Sequence, residues 1–361
     1  MEFSDDEQCE KEFYLKIYDG YDNLQSSSGC DNTKYVTNVD LECLETFQLD
    51  FVPYCLTYCD VPSSDEKREN ILLLSGSDDL IHGYRKNDSS KNADAIRDDE
   101  NHEKSDYKLN SDRREAKSNF YEMDDDELVH LFPEFSQPTP SPALSLSFYY
   151  PKNELVSCRW TAIGCQDGQL QVFQVDPIKG EVLKVFEDLE FAGIGGIHHA
   201  RFFELSVNNE HDSSIFNLIV IPSLERSALY LDIDCPEKPL HLDKETQMLE
   251  HSSDFDSVNG CAIFDIDGDG YPEIVLGTYG QELIIYKISE DKNPNDELAS
   301  KTSCDLTPKW KIWIRKSFSY PILAVEGWSK YDDNEDLANS ILAVTTIKTI
   351  YILQYDKRYT T

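Results

Sequence analysis

Along most of the chain apolar residues alternate with polar ones, and one order recurs: an apolar strand, a short turn, then a second strand. It is found in ILLLSGSDDLIHGYRK (Ile71 to Lys86), WTAIGCQDGQLQVFQVD (Trp160 to Asp176), NLIVIPSLERSALYLDID (Asn217 to Asp234), EIVLGTYGQELIIYKI (Glu273 to Ile288) and SILAVTTIKTIYILQYD (Ser340 to Asp356). Turn residues between β-branched, alternating flanks predict β-hairpins. Further strands are predicted ahead of several hairpins, at Leu44 to Val61, Gly196 to Leu205 and Phe318 to Trp328. Helical periods are scarce. Leaving out one polar segment, the hairpins come about every 45 to 65 residues, the length of a propeller blade rather than of a helical repeat. The pattern therefore predicts an all-β fold, a β-propeller with about five blades visible. A β-sandwich or two small β-domains would also use short strands, but the fixed order within each unit favours the propeller.

The polar segment runs from Asn87 to Glu127 and is mixed in charge and rich in Ser and Asn. It holds too few large apolar residues to offset the entropy of ordering, so it reads as a disordered acidic insertion. The chain thus divides into blades over 1–86, the insertion over 87–127, and blades over 128–361. Asp124 to Glu127 offers an acidic tract that either solvates the insertion or meets a partner.

Composition narrows the function. With 361 residues and 40% hydrophobic content the chain can bury a sizeable core. Its 33 Lys and Arg against 69 Asp and Glu give a formal charge of −36, so nucleic acid and anionic membrane surfaces are poor partners. The first residues, MEFSDDEQCEKEF, have neither a basic nor an apolar leader region. No apolar run reaches the length of a membrane span, and direct membrane insertion is not expected. Ten cysteines are scattered without a CxxC pair, Cys55 and Cys59 being the tightest spacing, and read as reduced thiols of a cytoplasmic protein.

One loop carries candidate chemistry. In FDIDGDGYPEIVLGTYGQEL, Asp265, Asp267 and Asp269 alternate, Gly270 supplies a sharp turn, Tyr271 offers its carbonyl, and Glu273 stands at the ninth position. Calcium favours six to eight hard oxygens, which alternate positions on a tight loop can bring to one ion. An EF-hand is rejected, because Leu276 stands where its bidentate glutamate belongs and strands, not helices, flank the loop. Two readings stay open: a Ca2+ loop, or a metal-free turn whose aspartates cap nearby backbone N–H groups.

Signatures of catalysis are lacking. The chain has no GxxxxGK[ST], GxSxG, HExxH or kinase set. His198 and His199 are neighbours on a predicted strand and point to opposite faces, so they do not share a metal. A propeller hydrolase would gather carboxylates from several blades, whereas these come from one loop. A calcium-dependent adhesion module is disfavoured by the missing leader and span. The reading is a non-enzymatic interaction propeller, with Tyr149, Tyr150 and Trp328 as either interface or blade-packing aromatics.

A D-x-D-x-D-G-x-x-D/E loop between strands, here spanning residues 262–287 with its flanks, resembles the FG-GAP repeat of integrin-alpha-like propellers. WSKYDDNEDLANSILAV (Trp328 to Val344) resembles a degenerate copy without the glycine, and no metal is expected there. Beyond the repeat, ILLLSGSDDLIHGYRK, LVHLFPEF, AIGCQDGQLQVFQVD, DFDSVNGCAIFDIDGDGYPEIVLGTYGQELIIYK and RKSFSYPILAVEG, in that order, resemble the kaptin family. The resemblance implies a seven-bladed propeller, incomplete in this chain: the family's first blade and basic helical tail have no counterpart, and the insertion is longer. It also implies a scaffold within the KICSTOR complex. There the scaffold recruits GATOR to the lysosomal surface and restrains target-of-rapamycin complex 1 when nutrients are low. The alternative it implies is an actin-filament-binding protein of lamellipodia and stereocilia, at the actin-rich cell edge.

Overall fold

The computed structural model describes residues 12–21, 40–62, 68–87, 120–151, 158–188, 191, 193–206, 214–233, 246–289, 309–331 and 337–355. Residues 88–119 of the predicted insertion and 332–336 of the degenerate aspartate loop lie outside them. The chain is a β-propeller divided into two compact units, Met1–Leu131 and Phe132–Thr361. No helix among the described residues is long and apolar enough to cross a membrane.

The first unit holds a two-stranded sheet, β1 (Phe13–Tyr21) with β2 (Asp40–Leu49), and a four-stranded blade of β3 (Pro53–Pro62), β4 (Arg68–Gly76), β5 (Ile81–Lys86) and β6 (Phe120–Glu122). Leu15 and Leu49 from the pair meet Leu74 and Tyr84 from the blade, with Phe13, Phe47 and Phe51 packed around them. The stretch Leu44 to Val61, predicted as a strand ahead of a hairpin, is broken at Asp50 to Val52 and gives the end of β2 and nearly all of β3.

Residues 120–127, read from the sequence as the end of the insertion, take regular structure instead. Phe120 and Tyr121 pair with Lys86 and Arg85, completing the blade. Helix α1 (Asp125–Leu131) follows, its Glu127 N–H capped by Asp124 Oδ1 at 2.8 Å. The acidic tract is thus a helix N-terminus, where negative charge offsets the exposed N–H dipoles. Arg85 fixes the whole corner, donating to Glu69 Oε1 and Oε2 at 2.7 Å each and to Glu127 Oε1 at 2.6 Å. The sequence signal failed because these few residues are ordered by partners far away in the chain.

The second unit stacks three four-stranded blades and a three-stranded sheet. These are β7 (Ala143–Tyr149) to β10 (Glu181–Asp188), β11 (Ile197–Ser206) to β14 (Thr246–Met248), β15 (Val258–Phe264) to β18 (Lys309–Ser317), and β19 (Ile322–Tyr331) to β21 (Ile350–Gln354). Each predicted hairpin forms the second and third strands of its sheet: β4–β5, β8 (Arg159–Cys165) with β9 (Leu170–Asp176), β12 (Ser214–Pro222) with β13 (Ala228–Tyr230), β16 (Glu273–Thr278) with β17 (Glu282–Ser289), and β20 (Leu337–Thr346) with β21.

The two-residue period of these strands builds the stack. Leu218 and Val220 face the preceding blade, joining Trp160 and Val172, while Ile219 and Ile221 face the following one, joining Ile274 and Leu276. Val275, Leu283 and Ile285 then turn the other way, onto Ile322, Val325 and Val344 of the last sheet. Central strands are buried on both faces, which is why they read as continuous apolar runs. Close approach is needed as well. A Cβ on Gly260 of β15 would lie 2.6 Å from the Val325 backbone nitrogen and 3.0 Å from the Ala324 backbone, so only hydrogen fits there.

Candidate functional site

The aspartate loop joins β15 to β16 and is closed largely by its own side chains. Asp265, buried at the end of β15, accepts from the Gly268 N–H at 2.6 Å through Oδ1 and from the Gly270 N–H at 3.0 Å through Oδ2. Both glycines have left-handed backbone, with φ of +74° and +88°, which side-chain-bearing residues adopt only with strain. Asp269 Oδ1 accepts from the Tyr271 N–H at 2.9 Å. Glu273, fully buried at the start of β16, reaches back so that Oε2 accepts from the Ile266 N–H at 2.7 Å. The next sheet grips the same turn, since Ser329 and Ser340 both donate their hydroxyls to the Asp265 carbonyl.

One carboxylate oxygen each from Asp265, Asp267 and Asp269 lie within 4.8 Å of one another, the arrangement expected of a cation loop. Glu273 stands beside them, whereas the Tyr271 side chain is exposed. The residue that sequence reasoning missed is Lys287. Its Nζ pairs with Asp267 Oδ2, lies 2.7 Å from Asp269 Oδ2 and 3.5 Å from Glu273 Oε1, and sits 5.1 Å from the centre of the Trp313 ring. A signal for it existed. Ile274 pairs with Tyr286 in the β16–β17 hairpin, so one step further out Glu273 comes opposite Lys287.

Burial raises the Glu273 carboxyl to about 7, against the lowering effect of the Ile266 N–H and Lys287. Burial would lower the Lys287 ammonium, but its bonds to Asp267 and Asp269 and the nearby Glu273 outweigh this and raise it. The donor chemistry of the loop suits a hard cation, but the ammonium already stands among the oxygens that would hold one. At an effective dielectric constant of 20, a divalent ion about 4 Å from that ammonium would meet a repulsion of about 8 kcal/mol. The residues as arranged do not fit calcium unless Lys287 is displaced.

The other candidates resolve into packing. His198 and His199 occupy successive positions at the start of β11, after the predicted turn. Burial, and secondarily Arg201, depresses the His199 imidazole to about 4. Tyr149 stacks on Phe216 with ring centres 4.2 Å apart, a blade-packing role, while Trp328 is 57% exposed. A second buried ionic group lies at the first blade of the second unit. Glu134, in the short turn Pro133–Phe135, accepts from Arg159 Nη2 at 2.8 Å on both oxygens and from Thr161 Oγ1 at 2.6 Å.

Stacked four-stranded sheets define a β-propeller, and among the described residues its acidic cluster lies on one inter-strand loop. Residues 1–101 and 104–361 match the family model of KICSTOR complex protein kaptin, and the chain belongs to that family. The KICSTOR complex protein kaptin of Mus musculus is 27% identical over 347 residues, which cover 95% of this chain and 65% of that protein. The chain therefore spans just under two thirds of that relative's length. Among solved structures, a crystal structure of BBS1N in complex with ARL6DN, soaked with lead, superposes with a TM-score of 0.38 at 11% identity, covering 84% of this chain and 79% of that one. An active polycomb repressive complex 2 in the basal state gives 0.42 at 10% identity, covering 83% and 48%.

Proposed function

We propose that this chain is a non-catalytic scaffold, a kaptin-type subunit of a KICSTOR complex. In this reading it helps recruit GATOR to the lysosomal surface and restrains target-of-rapamycin complex 1 when nutrients are low, working from the cytoplasm without inserting into a membrane. The family match over nearly the whole chain carries this reading. Two features support it. The carboxylates that a hydrolase would need come from one loop and bind that loop's own backbone and the Lys287 ammonium of β17. Trp328, Ile341, Ile350 and Ile352 lie on one face of the last sheet by register, and all four are exposed, a kind of surface that protein partners cover. Actin filaments, the rival partner, are themselves mostly acidic, and a chain of charge −36 would meet them with a penalty on association.

The test is recovery of a tagged copy from its own cells, with and without amino-acid starvation. The reading expects the other KICSTOR subunits and GATOR components to co-purify. Recovery of actin alone, lost at high salt, would overturn it in favour of a cytoskeletal role.

A further inference from the structure

We infer that the aspartate loop carries its own cation: the Lys287 ammonium takes the place a divalent ion would fill, and the loop closes without calcium. Three observations converge on this. The ammonium meets carboxylates from three positions of the loop, at Asp267, at Asp269 and at Glu273. It is delivered by β17, which is hydrogen-bonded on both sides, to β16 and to β18, and so it is held at the site by the sheet. Trp313 of β18 faces it at 5.1 Å, a cation–π contact that suits an ammonium and adds no ligand for a metal.

Four backbone N–H groups of the loop are satisfied from within, while Asp267 Oδ1 and Glu273 Oε1 are buried without a hydrogen-bond partner among the described residues, Glu273 Oε1 meeting only the ammonium at 3.5 Å. Backbone N–H groups of Ile266, Gly268, Gly270 and Tyr271 are each taken by a loop carboxylate. Against a tethered group of this kind a free ion must both displace the lysine and leave it a place to go. The side chain is only one quarter exposed, and its aliphatic stem leads out of β17 beside Lys311 of β18. Lys287 is thus a positioning residue that ties the β15–β16 turn to β17, and the blade keeps its shape at any calcium concentration.

The test is thermal unfolding of the full chain in EDTA, in 5 mM Ca2+ and in 5 mM Mg2+, beside the Lys287→Met variant. The wild-type melting temperature is expected to agree within about 1 °C in all three, and isothermal titration of the wild type with Ca2+ to give no saturable heat. In EDTA, Lys287→Met is expected to melt about 5 °C lower, because three carboxylates lose their counter-charge. A saturable Ca2+-dependent rise in the wild-type melting temperature would overturn the inference, as would a variant that melts with the wild type. Should Lys287→Met fail to fold, Lys287→Arg keeps the charge and the wild-type titration still decides.

Discussion

Removal of Glu134 is the sharpest test of how the second unit is held together. Glu134 and Arg159 are both wholly buried, the carboxylate taking two contacts of 2.8 Å from the guanidinium and one of 2.6 Å from Thr161. Glu134→Ala takes from the buried guanidinium the carboxylate that accepts from its Nη2, while the face of Phe132 stays 4.5 Å away. Breaking one side of such a pair costs about 3–5 kcal/mol. For a unit of this size that is a fall in melting temperature of roughly 10 °C. Replacing both partners with apolar residues, Glu134→Leu with Arg159→Met, removes the buried charge as well. That variant is expected within about 1–2 kcal/mol of the wild type, the residue being the unpaired Thr161 hydroxyl. Thermal and urea unfolding followed by tryptophan fluorescence reads both, since Trp160 is buried in the adjoining core. The reasoning fails if Glu134→Ala melts within 1 °C of the wild type, or if the double replacement is as damaging as the single one.

Three further outcomes follow from the same geometry. Asp265→Ala frees two backbone N–H groups of the loop and is expected to cost about 2 kcal/mol by urea titration, with no dependence on added calcium. Gly260→Ala drives a methyl into the backbone of the neighbouring sheet at 2.6 Å; a loss of about 2 kcal/mol is expected, and an unchanged urea midpoint would contradict the inter-blade packing. His199 is held neutral, its pKa lowered by burial from 6.5 to about 4. Its contribution is intact above about 6.5 and lost as pH falls toward 4, because the unfolded chain takes up the proton first. Between pH 7.5 and 4.5 the wild type should lose about 2–3 kcal/mol more than His199→Gln, measured as paired urea curves.

The fold was legible where strands are buried on both faces. β8, β12 and β16 carry runs such as WTAIGC, NLIVIP and EIVLGT that are buried on both faces, and their hairpin partners follow across a short turn. Outer strands were harder. β10 and β18, EVLKVFED and KWKIWIRKS, are largely exposed and polar, and β6 and β14 have only three residues each. Such strands exist because a neighbour offers unpaired N–H and C=O groups, which no local pattern reports. The loop shows the same division. Its aspartates and glycines stand side by side in the chain and were readable, whereas Lys287 reaches them across a hairpin and Ser329 and Ser340 from another sheet. Helix α1 was missed because its acidic first turn looks like solvated sequence until Asp124 caps it and Met123 and Leu128 are buried.

The proposed role of this kaptin-family propeller, a scaffold restraining target-of-rapamycin complex 1, is checked by removing the chain from its own cells and following that kinase's activity through amino-acid withdrawal. Activity is expected to persist during starvation, and restoring the chain to return the shut-off. Normal shut-off in its absence, with the defect confined to actin-rich cell edges, would contradict it.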